Sequence, residues 1–83
     1  MFFNKKKKLR NAILKRFYAL TEADKDKIQV TSIERREYYI GYPIARYFVH
    51  YTHNCMCKKT CMFYVNELTH MVCTPDEYAE RCL

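Results

Sequence analysis

The stretch "IARYFVHYTHNCMCKKTCMFYV", residues 44–65, decides the fold of this chain. Its first part, "IARYFVHYTH" at 44–53, is rich in β-branched and aromatic residues, which favour strands. A short polar segment, "NCMCKKT" at 54–60, then leads into "CMFYVNELTHMVC" at 61–73. Two strand-like runs joined by a short polar segment indicate a β-hairpin. The pattern therefore predicts two antiparallel strands in this region.

A third strand is predicted immediately upstream, over "IQVTSIERREYYI" at 28–40. Apolar residues of one parity recur along it: Ile28, Val30, Tyr38 and Ile40. Glu34 and Arg36 interrupt that parity, so the alternation is incomplete. "GYP" at 41–43 contains the single glycine of the chain and a proline, which is a turn signal before the next strand. The sequence thus predicts a three-stranded antiparallel sheet.

Both ends of the chain are predicted to be helical. The N-terminal segment has one apolar helical face, which consists of Leu9, Ile13, Phe17 and Leu20. At the other end, "TPDEYAERCL" at 74–83 offers Thr74 as an N-cap and Glu77 as its capping-box partner. The expected fold class is α+β, with a basic amphipathic N-terminal helix, a three-stranded antiparallel sheet and a short C-terminal helix.

The length of 83 residues leaves room for one hydrophobic core, so residues 1–83 are expected to form a single domain. No apolar run approaches the roughly 20 residues that a membrane-spanning helix needs. "MFFNKKKKLRNAIL" at 1–14 has charges where a signal peptide would be apolar. We therefore expect no membrane partner and a cytoplasmic location, which would be the host cytoplasm if the source is viral.

The positive charge of the chain is concentrated at its N-terminus. Residues 1–21 carry no acid and seven cations, a net charge of +7: Lys5, Lys6, Lys7, Lys8, Arg10, Lys15 and Arg16. Residues 22–83 have eight Lys or Arg against nine Asp or Glu, a net charge of −1. Four lysines at the start of a helix oppose its macrodipole, and an anionic partner would remove that cost. The alternative is that these lysines only keep a solvent-facing helix surface hydrated.

Aromatic residues alternate with cations in "RREYY" at 35–39 and "RYFVHY" at 46–51, a pattern used for base stacking with phosphate contacts. If Tyr38 and Phe48 point into the core, the exposed stacking residues are the other tyrosines. Those candidates are Tyr39, Tyr47 and Tyr51. The alternative is that the tyrosines merely cover the second face of the sheet.

The cysteine-rich hairpin raises the question of a metal site. The candidate zinc ligands are His53, Cys55, Cys57 and Cys61. Cys73 or His50 could replace one of them. The absence of a C-x2-C pair argues against zinc. The favoured interpretation is that the cysteines are buried or half-exposed free thiols. Disulfide pairing is a third alternative. Cys57 beside two lysines could be reactive, but no pocket or orienting acid is evident, so no enzymatic activity is predicted.

The predicted order of one helix, three strands and one helix resembles the layout of the double-stranded-RNA-binding domain. The resemblance is one of topology. That family contacts RNA through its first helix, a strand-connecting loop and a lysine cluster that opens its last helix. The last helix of this chain opens instead with "TPDEY" at 74–78, so the third contact has no counterpart. No residue role is carried over from that family.

Together these features predict a small non-enzymatic nucleic-acid-binding protein, with RNA favoured and with Lys58 and Lys59 as a second contact after the N-terminal helix. The alternative is a protein-interaction inhibitor that binds an acidic host-protein surface, or a zinc-stabilised hairpin module. The Lys- and Tyr-rich, Gly-poor composition suggests, by analogy, a phage accessory or anti-defence factor. Residues 67–83 carry a net charge of −3 and could pair with the basic N-terminus of another copy in a homo-oligomer.

Overall fold

The computed structural model describes residues 2–37 and 43–81, with side chains in 7–37 and 43–78. Its elements are α1 (Phe2–Leu20), a 3₁₀ segment (Glu22–Lys27), β1 (Ile28–Glu37), β2 (Ile44–His53), β3 (Cys57–Asn66), β4 (Met71–Cys73) and α2 (Pro75–Arg81). The strands form one antiparallel sheet in the order β1-β2-β3-β4. The α+β class with an N-terminal helix and an antiparallel sheet is confirmed. The predicted number of three strands is wrong, because the sheet has four.

The fourth strand arises because the predicted strand at 61–73 breaks after Asn66. The side-chain oxygen of Asn66 accepts hydrogen bonds from the backbone N–H groups of Leu68 at 3.0 Å and Thr69 at 3.1 Å. Such a bond pattern from an asparagine side chain stabilises a turn. His70, which the sequence places in mid-strand, closes that turn with a left-handed φ of 63°. Its N–H donates to the Asn66 carbonyl oxygen at 2.7 Å.

The β2–β3 hairpin is tighter than the sequence predicts. Strand β3 begins at Cys57, which lies opposite His53 in the ladder, so a three-residue loop remains. Two of its residues, Asn54 and Cys55, have left-handed φ values of 56° and 62°. Asparagine tolerates that region better than most residues, whereas cysteine has no such preference. The predicted connection at 54–60 is therefore too long by the four residues that belong to β3.

A β-bulge in β1 explains the interrupted alternation of that strand. The register shifts between Val30 and Ser32, which leaves Thr31 as the extra residue. Since side chains alternate between the two faces of a sheet, one extra residue moves each later side chain of the strand to the opposite face. Ile33 consequently packs against the core, and Glu34 turns to the opposite face of the sheet.

The main core lies between α1 and one face of the sheet. Ile13 and Phe17 are 1% and 0% exposed, as the predicted apolar helix face requires. The buried sheet residues beneath them are Ala45, Tyr47, Val49, Phe63 and Val65. Leu9 packs at the edge of this core, but Leu20 is 50% exposed, because it is the last residue of α1 and lies beyond the core. Burial of these apolar side chains is the main contribution to stability.

Helix α2 covers one end of the opposite face. Tyr78 packs there with Ile44 and Cys73, and its ring stacks on that of Tyr64 with a centroid distance of 4.2 Å and an interplanar angle of 15°. The second cluster is small and lies beside the short strand β4. The rest of that face is therefore not part of either core cluster.

The predicted capping box at the start of α2 is confirmed. The hydroxyl of Thr74 accepts the N–H of Glu77 at 3.3 Å, and the Glu77 carboxylate accepts the N–H of Thr74 at 3.0 Å. Arg16 of α1 donates to the same carboxylate at 2.5 Å. The hydrogen bond from the Thr74 backbone, followed by that from Arg16, lowers the pKa of Glu77. The cap of α2 is thus also the ionic contact between the two helices.

A second carboxylate, that of Glu67, joins β1 and β2 to the β3–β4 turn. It accepts two hydrogen bonds from Arg35, at 2.7 and 3.0 Å, and one from the hydroxyl of Tyr47. The bonds from Arg35, followed by that from Tyr47, lower the pKa of Glu67. Burial, followed by the hydrogen bond to Glu67, raises the pKa of Tyr47. The bidentate arginine contact gives this link between the strands a defined geometry.

Glu67→Gln is expected to lower the free energy of unfolding by about 1 kcal/mol at neutral pH. This loss is smaller than for a fully buried charged hydrogen bond, because the side chain of Arg35 is 45% exposed. The folded-state pKa of Glu67 lies below its unfolded value, so the carboxylate stabilises the fold above the unfolded pKa. That contribution disappears as the pH falls through the folded-state pKa. Urea denaturation should therefore show wild type and variant converging as the pH falls below 4.5, the ordinary pKa of a glutamate.

The control for this experiment is Glu22→Gln, since Glu22 is exposed on the 3₁₀ segment. That variant should match the wild type at every pH. A Glu67→Gln effect that persisted undiminished at the acidic end would contradict an electrostatic contribution from the carboxylate.

Candidate nucleic-acid interface

Four of the nine cations that the sequence predicts as contacts are exposed on α1: Lys7, Lys8, Arg10 and Lys15. Asn11 and Tyr18 are exposed on the same helix. Lys8 and Lys15 lie two helical turns apart, so the cations extend over about 10 Å along the helix. Lys5 and Lys6 belong to the first turns of α1, and their side chains lie outside the described set.

The ion pairs of the structure use arginine and histidine as their cations. Those between described residues are Arg16–Glu77, Arg35–Glu37, Arg35–Glu67, Arg36–Glu34 and His50–Glu34. Within the described side chains, no lysine takes part in an ion pair. Glu34, Glu37, Glu67 and Glu77 are thus occupied by these cations, and the charge of the described lysines on α1 stays uncompensated.

Arg16 is the exception among the predicted contacts on α1. Its guanidinium is bound to the carboxylate of Glu77, and its side chain is only 37% exposed. The sequence places Arg16 beside the apolar face but gives no sign of its partner 61 residues away. We therefore assign Arg16 to the contact between the helices and leave it out of the interface proposed below.

The two hairpin lysines point to different sides of the sheet. Lys59 lies opposite Tyr51 and Lys58 opposite Thr52, and successive residues of a strand alternate in direction. The ring of Tyr51 is 5.0 Å from that of Phe17, near the C-terminal end of α1. Lys59 therefore shares the α1 side of the sheet and adjoins the end of the helix, whereas Lys58 projects from the opposite face.

The predicted orientation of the aromatic residues on β2 is reversed. Tyr47 is buried at 8% exposure and Tyr51 is half-buried, both on the face that α1 covers. Phe48, predicted to point inward, lies on the other face and is half-buried. The alternation of side chains correctly places Tyr47 and Tyr51 on one face of the sheet and Phe48 on the other. Which of these faces becomes core depends on where α1 docks. Tyr38 and Tyr39 lie outside the described residues.

The opposite face carries a polar network that was not predicted from the sequence. Arg36 lies over the ring of Phe48, 5.5 Å from its centroid, and donates to Glu34 at 2.7 Å. His50 bridges Glu34 and the hydroxyl of Thr60, at 3.2 and 2.9 Å. The hydrogen bond from Arg36, followed by that from His50, lowers the pKa of Glu34. The sequence signal was present in "RREYY" and "RYFVHY", but the bulge in β1 places its members on one face.

The structure does not bring the predicted zinc ligands together. His53 lies opposite Cys57, but Cys61 is four residues further along β3, about 13 Å away. Cys61 packs against the main core, and burial raises the pKa of its thiol. Cys55 is exposed in the loop, and Cys73, the proposed substitute, is buried beneath α2. Among the side chains of residues 7–37 and 43–78, no group of three or more His, Cys, Asp or Glu could hold a metal ion.

Neither described helix is long and apolar enough to cross a lipid bilayer. Comparison with protein-family models, with curated proteins and with solved structures finds no match for this chain.

The thiols should react in the order of their exposure. In a Cys82→Ser background, we expect Cys55 and Cys57 to react rapidly with an aromatic disulfide reagent, because both are exposed. Cys61 and Cys73 should react slowly, because burial protects both and raises the pKa of Cys61.

Zinc added before the reagent should leave these rates unchanged, because the candidate ligands lie too far apart to share an ion. The measurement is the time course of thiol modification, together with metal analysis of protein purified without chelator. Near-stoichiometric zinc, or protection of Cys57 and Cys61 together, would contradict the separate positions of these thiols.

Proposed function

We propose that this chain is a small non-enzymatic nucleic-acid-binding protein that favours RNA. The observation that carries the proposal is the division of cations between two roles. Arginines and a histidine engage the glutamates, whereas the exposed lysines of α1 and Lys59 have no ionic partner among the described residues. Lysines that the fold does not use are available to a polyanion.

Phosphates are the anions that such a surface suits best. Each phosphate that a lysine neutralises releases condensed counterions, which favours binding and makes it steeply dependent on salt. The proposed contact set follows α1 and continues at the end of the helix: Lys5, Lys6, Lys7, Lys8, Arg10, Lys15 and Lys59. A stripe of this kind recognises backbone and shape more than sequence.

The proposal does not depend on the resemblance to the double-stranded-RNA-binding domain. The sheet has four strands instead of three, and α2 opens with Asp76 and Glu77 where that family has lysines. The charge of α1 supports a nucleic-acid ligand. This helix packs its apolar residues against the sheet and directs its exposed cations toward solvent.

The alternative is an interaction with an acidic protein surface, as an inhibitor of that protein. Leu68 and Met71, beside the β3–β4 turn, favour it, since they are 75% and 51% exposed. Two neighbouring exposed apolar side chains suit a protein contact. The first experiment should therefore distinguish the two classes of partner.

That experiment is the absorbance ratio at 260 to 280 nm of protein purified at low salt, repeated after RNase, DNase and a high-salt wash. A high ratio that RNase abolishes supports RNA, and one that only DNase abolishes supports DNA. A clean protein spectrum, together with no binding of added RNA or DNA at low salt, would contradict the proposal and favour the acidic-protein alternative.

Replacing two lysines of the stripe should weaken binding in a way that salt reveals. Lys7→Gln with Lys8→Gln removes two phosphate contacts, so the slope of log K against log salt should become shallower by about 1.4 for a single strand. Fluorescence anisotropy of a labelled RNA measures both affinity and slope.

The matched control is Lys25→Gln with Lys27→Gln, which removes the same charge from the exposed 3₁₀ segment. That pair should leave the slope unchanged. Equal losses in the two double variants would mean that net charge alone drives binding, and the proposed stripe would be wrong.

A further inference from the structure

The face of the sheet opposite α1 is only partly covered by helix α2. Its half nearer the hairpin is exposed or half-exposed and consists of Ser32, Glu34, Arg36, Phe48, His50, Thr52, Lys58, Thr60 and Met62. We term this half the open face. We propose that the open face binds single-stranded nucleic acid by stacking one unpaired base on Arg36. This inference rests on the proposed function and names the class of ligand.

The stacking element is the guanidinium plane of Arg36. Its Cζ lies over the Phe48 ring, 5.5 Å from the centroid, and its Nε donates to Glu34 at 2.7 Å. The side chain nevertheless remains 62% exposed. The contact with the ring and the bond to the carboxylate restrict the side chain, so less entropy is lost when a base stacks on it. Arginine planes are an established platform for unpaired bases.

The same face has a site for phosphate at its hairpin end. A shallow cleft of about 360 Å³ lies there, and its polar lining includes Thr31, His50, Thr52, Lys58, Lys59 and Thr60. Lys58 is exposed on the open face and has no ionic partner among the described residues, whereas Lys59 borders the cleft from the α1 side of the sheet. Hydroxyl donors beside the uncompensated cation of Lys58 favour an anion.

Charge complementarity supports a nucleic acid as the occupant. Glu34 is the acidic residue of the open face, and its carboxylate is already bound by Arg36 and His50. The cations Arg36 and Lys58 leave this face net positive. Four residues separate Phe48 from Thr52 along β2, about 13 Å. The stacking and phosphate sites are thus far enough apart to contact different nucleotides of one strand.

The geometry favours a single strand over a duplex. A base can lie against Arg36 only if its ring face is free, and in a duplex both faces of an internal base are stacked on neighbours. A duplex could still contact the lysines of α1, on the other side of the molecule. We therefore expect the open face to prefer a single strand, whereas the α1 side can also contact a duplex. Variants of each side can distinguish these preferences.

The test compares a labelled 12-nucleotide single-stranded RNA with a 12-base-pair RNA duplex by fluorescence anisotropy. Arg36→Lys keeps the charge but removes the plane, and Phe48→Leu keeps an apolar side chain but removes the ring beneath it. Each should weaken single-strand binding about tenfold and leave duplex binding unchanged. For Arg36→Lys the salt slope should stay that of the wild type.

Lys58→Gln tests the phosphate site. It should make the single-strand salt slope shallower by about 0.7, whereas Lys25→Gln, on the 3₁₀ segment, should not. Thermal denaturation of each variant checks its folding. If Phe48→Leu is destabilised, Arg36→Lys carries the test, because Arg36 lies on the surface.

The outcomes separate the two proposals. Binding of both RNAs with no effect of Arg36→Lys or Lys58→Gln would overturn the inference and leave the proposed function intact. Failure of both RNAs, and of the corresponding DNAs, to bind at low salt would overturn the proposed function, and the inference with it. Selective loss of single-strand binding in Arg36→Lys, with an unchanged salt slope, would support the open face as a stacking site.

Discussion

The packing of Ile13 and Phe17 of α1 on one face of the sheet is the contact on which the rest of the structure depends. Both side chains are almost fully buried, and in a chain of 83 residues they supply much of the main core. Once α1 occupies that face, the alternate residues of β2 on the same side, including Tyr47, become core. Phe48 is then left on the other face, and the cations of α1 must face solvent.

The division between arginine and lysine follows from what each side chain does well. The planar guanidinium can bind one carboxylate through two nitrogens, as Arg35 does with Glu67, and this suits a structural contact. The lysine ammonium is a strongly hydrated charge on a long stem, and fixing it costs side-chain entropy. Arg16 and Arg35 therefore join elements of the fold. The described lysines of α1 remain hydrated at the surface.

The β1 bulge connects the fold to the second candidate surface. Without the extra residue Thr31, Glu34 and Arg36 would lie on the α1 side, where charges would meet the apolar core. With it, Ile33 fills the core and Arg36 lies over Phe48. The inserted residue thus keeps Glu34 and Arg36 away from the apolar core, and it also places the side chain of Arg36 on the open face.

Features that depend on local spacing could be predicted from the sequence. They are the apolar face of α1, the capping box of Thr74 and Glu77, and the central hairpin, which all follow from neighbours a few residues apart. Three others became evident only in the folded chain: the break after Asn66, the pairing of Arg16 with Glu77, and the choice of the buried face of β2. A period of two assigns residues to two faces but does not say which face a helix will cover, because that choice depends on contacts between segments far apart in the chain.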